Sequence, residues 1–204
     1  MTILSKNDQK GRSMVEMLGV LAIIGVLSVG GISGYSKAMG KFKMTKAQDQ
    51  MSMILMNVRT AFATSPSYDG LNDQNALDYG IVPSEMSNKG KEGATLVNAF
   101  GGAAHIFSCG EDDEYVACSQ LLTGDMGDPK MYFAISMTGL SKEECVTLGS
   151  VDWGSDGLIG VTIGSKELGP EDFPPTLASI ASGCSEDKEA NDMSSGNTIT
   201  WTYF

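Results

Sequence analysis

Hydrophobic and polar positions divide this chain into stretches with different periods. Residues 17–36 carry no charged side chain, a run of roughly twenty residues, about the length that spans a bilayer as a helix. Beyond it, Met44, Ala47, Met51, Ile54, Leu55, Val58, Ala61 and Phe62 recur mainly in steps of three and four. That spacing marks one face of an amphipathic helix. Neither Gly nor Pro interrupts residues 42–64, and Ser65-Pro66 supplies the stop, because a proline disfavours helix in the residue before it. Joined, the two stretches predict one helix of about 50 residues, on the order of 80 Å long at 1.5 Å per residue. Its second half would bury one stripe against the domain that follows. Its first half needs lipid, or other apolar helices, to cover it. Gly25, Gly30, Gly31 and Gly34 weaken that first half, and Gly30 with Gly34 has the small-xxx-small spacing that lets helices approach closely.

The remainder reads as loop-rich and α+β. Residues 73–79 predict a short helix closed by Gly80. MYFAISMT (131–138) and LIGVTIG (158–164) predict strands by their β-branched and aromatic content. Ser141-Lys142-Glu143-Glu144 matches a capping box, so Ser141 should start a short helix that carries Cys145. The closing NTITWTYF alternates, with Ile199, Trp201 and Tyr203 on one side and threonines on the other, which predicts a terminal strand inside a sheet.

Charge changes this picture more than composition does. The chain has 204 residues, 42 % hydrophobic and 19 % charged, enough for one globular domain plus a long helix. Its net charge of -11 is unevenly spread. Residues 1–64 hold eight Lys/Arg against Asp8, Glu16 and Asp49, a net of +5, whereas residues 65–204 hold six Lys against twenty-two Asp/Glu, a net of -16. An acidic head lacks the basic patch that nucleic-acid binding requires. The acidity serves solubility of a secreted surface, or it faces the basic stem of a neighbouring copy.

Cys109, Cys118, Cys145 and Cys184 show no Cys-x-x-Cys spacing, and the chain holds one His, which argues against a zinc site. An even number of cysteines behind an export-type segment points to two disulfides in an oxidising compartment, with three pairings open. Lysines flank the apolar run on both sides, so their balance does not set its orientation. The cysteines do: the large domain belongs outside. A cleaved signal peptide with Ser28-Val29-Gly30 as its cleavage site is the competing reading. Against it stand Glu16, at the start of the apolar core, and a helical pattern that continues past the supposed cut.

The informative feature is Gly11-Arg12-Ser13-Met14-Val15-Glu16. A polar leader ends in glycine, one carboxylate follows five residues later, and the apolar run then begins. A plain anchor gains nothing from that carboxylate, because ionisable groups in an apolar segment are costly and usually have a functional partner. This spacing resembles the prepilin processing site. Together with SKEEC, VDWGSDGLIGVTIG, a following cysteine and NTITWTYF, it makes the chain similar to type IVb-like major pilins, including those of conjugative thin pili.

The resemblance implies an α+β pilin fold, with a long N-terminal helix packed on an antiparallel β-sheet head. The parts would be a leader at 1–11, a helix at 12–64 with its membrane segment at about 14–36, and a head at 65–204. It implies cleavage between Gly11 and Arg12, methylation of the new amine, and pairing of Glu16 with the amino terminus of a neighbouring subunit. It also implies a Cys145–Cys184 disulfide closing the C-terminal region, which leaves Cys109 with Cys118. The implied partners are other copies of the chain, prepilin peptidase, the pilus assembly platform and the inner membrane, from which the subunit passes into an extracellular pilus. No cofactor, metal site or catalysis is implied. Two positions depart from family patterns: Arg12 stands where the first mature residue is usually apolar, and Ser33 where type IVa pilins carry a helix-kinking proline, the latter in keeping with the IVb type. A minor pilin or secretion pseudopilin shares this chemistry, and a membrane-anchored binding module is the alternative from another class.

The Glu16 role has a physical reason of its own. Among apolar helices an unpaired carboxylate is costly and an adjacent cationic amine satisfies it. Only one axial stagger brings the two together, so Glu16 would act as a register device, as a buried polar residue does in a coiled coil.

Other constellations carry less. Asp152-Trp153-Gly154-Ser155-Asp156-Gly157 has the look of a calcium loop, but the expected downstream Glu is Ile163, so it reads as a solvated turn. Glu111-Asp112-Asp113-Glu114 reads as an exposed face. His105 has no nucleophile or metal partner nearby in sequence, and the methionines of the stem read as packing. No nucleophile-elbow, phosphate-loop or dinucleotide motif is present.

Overall fold

The structure, a computed structural model, describes residues 8–88, 95–110, 118, 127–153, 157–185 and 196–204. A single helix, α1, covers Asp8–Ala61. It ends at Ala61 and a turn carries the chain to Ser65, a few residues short of the proline that the sequence offered as its stop. The chain divides into two units, Met1–Phe42 and Lys43–Phe204.

The second unit is built on a sheet with the spatial order β1-β2-β3-β6-β4-β5 among the described residues. The strands are β1 (Leu96–Val97), β2 (Ala103–Ser108), β3 (Phe133–Leu140), β4 (Leu158–Ile163), β5 (Lys166–Leu168) and β6 (Asn197–Tyr203). Every pairing is antiparallel. The C-terminal strand therefore lies in the interior of the sheet, between β3 and β4.

Register explains the core. Ile106, Ile135, Trp201 and Val161 stand opposite one another across four strands, and Met137, Ile199 and Ile163 form a second row. Side chains alternate between the faces of a strand, so these rows share one face. They are buried in one cluster with Ala47, Met51, Ile54 and Val58 of α1. Those four positions belong to the stripe legible in the sequence.

The opposite face of the sheet is buried at these strands as well. Thr200 and Thr202 are buried. The Thr200 hydroxyl donates to Ser136 Oγ at 3.1 Å, and Phe107, Ala134 and Thr202 form a row on which Cys118 packs. Threonine serves here because its methyl group packs while its hydroxyl can bond across the strands.

Helix α2 (Asp73–Asp78) is capped by the Asn72 side chain, which accepts from Asn75 N at 2.9 Å, and Gly80 follows with φ 68, a conformation that suits glycine. Helix α3 (Lys142–Gly149) has the expected capping box: Ser141 Oγ accepts from Glu144 N and the Glu144 carboxylate accepts from Ser141 N. Helix α4 (Leu177–Gly183) follows a Thr176 cap. A Cβ on Gly183 would lie 2.8 Å from Ile163 O, so only glycine lets the end of α4 close on β4.

Candidate assembly site

In the first unit the large apolar side chains of α1 are exposed, from Met14 through Ile32 to Tyr35. A Cβ added at Gly30 or Gly34 would meet nothing within 4 Å, so neither glycine is required by packing inside the chain. Glu16 is exposed on this helix and has no ion-pair partner among the described residues. Gly11 and Arg12 belong to the helical turns just before it. A stretch of helix therefore presents an apolar surface that bears one carboxylate.

Where the helix meets its head, the electrostatics change. Lys46 pairs with Glu85 at 3.3 Å, and Gln50 Nε2 donates to the same carboxylate at 3.0 Å. The hydrogen bonds from Gln50 and Lys46 hold the Glu85 carboxyl below the usual carboxylate range. Lys37, Lys41 and Lys43 have no such acid among the described residues. Further along, the Arg59 guanidinium lies over Tyr203, 5.9 Å from the ring centroid. Burial pushes the Tyr203 phenol up, and the Arg59 charge opposes that shift.

The disulfides organise the head. Cys145, on α3, is bonded to Cys184, just after α4, with 6.0 Å between their Cα atoms. Cys109 is bonded to Cys118, with Cα atoms 5.4 Å apart. The buried Asn197 locks the chain after Cys184 in place. Its Nδ2 donates to Leu140 O at 3.0 Å and to Ser185 O at 3.1 Å, and its Oδ1 accepts from Ser185 N at 2.6 Å. Nothing in the local sequence marks this asparagine, because its partners lie 12 and 57 positions away.

His105 also gains a partner only in space: its Nδ1 lies 2.8 Å from Asp73 Oδ2, while Asp73 Oδ1 accepts from Ile106 N at 2.7 Å. That carboxylate ties α2 to β2. Of the calcium-like sequence, Gly154, Ser155 and Asp156 lie outside the described residues, as do Glu111, Asp112, Asp113 and Glu114. No group of three or more potential metal ligands occurs among the described residues. Trp153 is half-buried, its Nε1 donating to Leu148 O at 3.0 Å and its ring edge-on to Trp201 at 5.6 Å. It lines a hollow of about 490 Å³ with Leu158, Phe173, Pro174 and Pro175.

The chain is similar to known proteins over most of its length. A family model described as "PilS N terminal" matches residues 42–203. The major structural subunit of the bundle-forming pilus of Escherichia coli O111:H- is 24% identical over 165 residues, covering 80% of this chain and 76% of that protein. The crystal structure of a type IV b pilin from Salmonella typhi superposes with a TM-score of 0.53 at 17% identity, over 78% of this chain and 97% of that one. TcpA, a type IV pilin from Vibrio cholerae El Tor biotype, gives a TM-score of 0.47 at 16% identity, over 79% of this chain and 99% of that one.

Proposed function

The chain belongs to the PilS family, and on that premise we propose that it is the structural subunit of a type IV-like pilus. The subunit waits in the inner membrane with its head outside. Prepilin peptidase removes the leader between Gly11 and Arg12, and the mature chain then joins a helical filament through α1.

One observation carries this reading: an apolar helix surface that the chain itself leaves uncovered. Twelve Met, Val, Leu and Ile side chains between Met14 and Ile32 are exposed. At about 1.5–3 kcal/mol for each such side chain buried, the gain from covering them is on the order of 20 kcal/mol before ordering costs. Water cannot hold such a surface. Lipid covers it before assembly, and a bundle of identical, staggered helices covers it afterwards. Gly30 and Gly34 would let neighbouring helices approach closely there. Glu16 would take the amino terminus of an adjacent copy and so select the stagger. Contacts between copies that do not close on themselves give a fibre rather than a ring. The disulfide-bonded head supports the extracytoplasmic placement.

The test is the full chain expressed with its assembly machinery, followed by shearing and measurement of released filament. Mass spectrometry should find the mature chain starting at Arg12, and Glu16→Ala should insert in the membrane but release little filament. Wild-type amounts of filament from Glu16→Ala would refute the register role. A start near Gly31 would establish a cleaved signal peptide instead.

A further inference from the structure

Three features of this molecule lie outside the apolar run of α1. Phe42 is 62% exposed on α1. The lysines on either side of it in sequence, Lys41 and Lys43, have no acidic partner among the described residues. The hollow beside Trp153 is walled by aromatic rings and prolines, and the charged side chain of its lining is Asp152. Pro170, at one edge of that hollow, opens a short turn (Pro170–Asp172) that carries the exposed Glu171.

We infer that the Trp153 hollow is a socket for Phe42 of a second copy of this chain, with Lys41 and Lys43 of that copy set against the acidic rim. The inference rests on the filament reading above.

Shape, charge and the fate of lipid all point the same way. A volume of about 490 Å³ admits an aromatic ring with the stems of its flanking side chains. The Trp153 ring is fixed by its bond to Leu148 and by Trp201, so it offers a preset face or edge to an entering ring. Asp152 in the lining and Glu171 beside Pro170 are opposite in sign to the residues that flank Phe42. Complementary charge of this kind selects partner and register more than it adds affinity. Before assembly, an aromatic residue between lysines suits a membrane interface. Leaving the bilayer strips that environment from Phe42, and a neighbouring head supplies another.

The experiment places cysteines at two exposed positions, Phe42→Cys and Ser150→Cys, the second at the mouth of the hollow. Sheared filaments of the double variant are treated with a short bismaleimide and run under denaturing, reducing conditions. A ladder of dimers, trimers and longer species that neither single variant gives supports the socket. Plentiful filament without a ladder overturns it and leaves the hollow to an external ligand or to no ligand. A wild-type chain that yields no filament overturns the filament reading, which distinguishes the two failures. A second measurement uses charge alone. Lys41→Glu with Lys43→Glu should cut filament yield by about tenfold, and adding Glu171→Lys should restore most of it. Unchanged yield in the Lys41→Glu, Lys43→Glu variant overturns the contact even if cross-linking fails for chemical reasons.

Discussion

Ser185 donates its backbone N–H to Asn197 Oδ1 at 2.6 Å, which joins the residue after the Cys184 disulfide to the first residue of the last strand. The Asn197 amide also reaches Leu140 O at 3.0 Å, so one buried side chain holds β3, β6 and the end of the α4 segment together.

Asn197→Ala should therefore cost more than a surface substitution. It leaves the buried Leu140 carbonyl without this partner and takes both bonds to the amide from the Ser185 backbone, at about 1–3 kcal/mol for a buried group left unpaired. A drop of roughly 2–4 kcal/mol in urea unfolding of the head is expected. A loss under 0.5 kcal/mol would mean that solvent replaces the amide readily.

The two disulfides should differ in weight. Cys145–Cys184 closes a separation of 39 residues and Cys109–Cys118 one of 9. Loop entropy assigns about 4 kcal/mol to the first and about 2.5–3 to the second. Cys145→Ser with Cys184→Ser should accordingly lower the melting temperature further than Cys109→Ser with Cys118→Ser. The reverse order would show that packing of Cys118 against Phe107 and Ala134 outweighs chain entropy.

Tyr203 predicts the alkaline limit of the head. Its phenol is raised by burial, so the neutral form is favoured in the folded state. The stabilisation is fully present below the unfolded tyrosine value of about 10 and is lost as pH rises through the folded value. Among the described residues its hydroxyl also has no hydrogen-bond partner. Tyr203→Phe should keep the ring contact with Phe133 (centroids 5.4 Å apart), leave stability at pH 7 equal or slightly higher, and flatten its fall above pH 10. An unaltered alkaline slope, followed by circular dichroism, would place the titrating group elsewhere.

A chain that begins at Lys41 should be a soluble monomer by sedimentation at micromolar concentration and moderate salt. It keeps the α1 stripe that the head buries and loses the exposed apolar half. Long fibres from this shortened chain would show that α1 is not the assembly element.

Much of the head was legible along the chain, for local reasons. β6 announces itself by alternation, β3 and β4 by β-branched and aromatic runs, and α3 by a capping box whose two bonds lie within four residues. β2 was not legible: Ala103, Ala104, Ile106, Phe107 and Ser108 are buried on both faces, so no period-two signal survives. The three-residue edge strand β5 is too short to show a period, and α4 buries only Ile180.

The sequence by itself determined what depends on near neighbours: a long helix with an uncovered apolar half, a carboxylate at its mouth, a charge contrast between stem and head, and four cysteines. Spacing along one chain suffices for these, because helix and strand periods, caps and net charge are local quantities. Only the tertiary structure decided what depends on distant segments meeting. It set β6 inside the sheet between β3 and β4, put Asp73 against His105 and Asn197 against Ser185 and Leu140, and closed α4 on β4 through Gly183. It also raised aromatic and proline walls around Trp153 from two separate segments. Such contacts follow from the simultaneous packing of the whole core, in which each strand's place is fixed by the others.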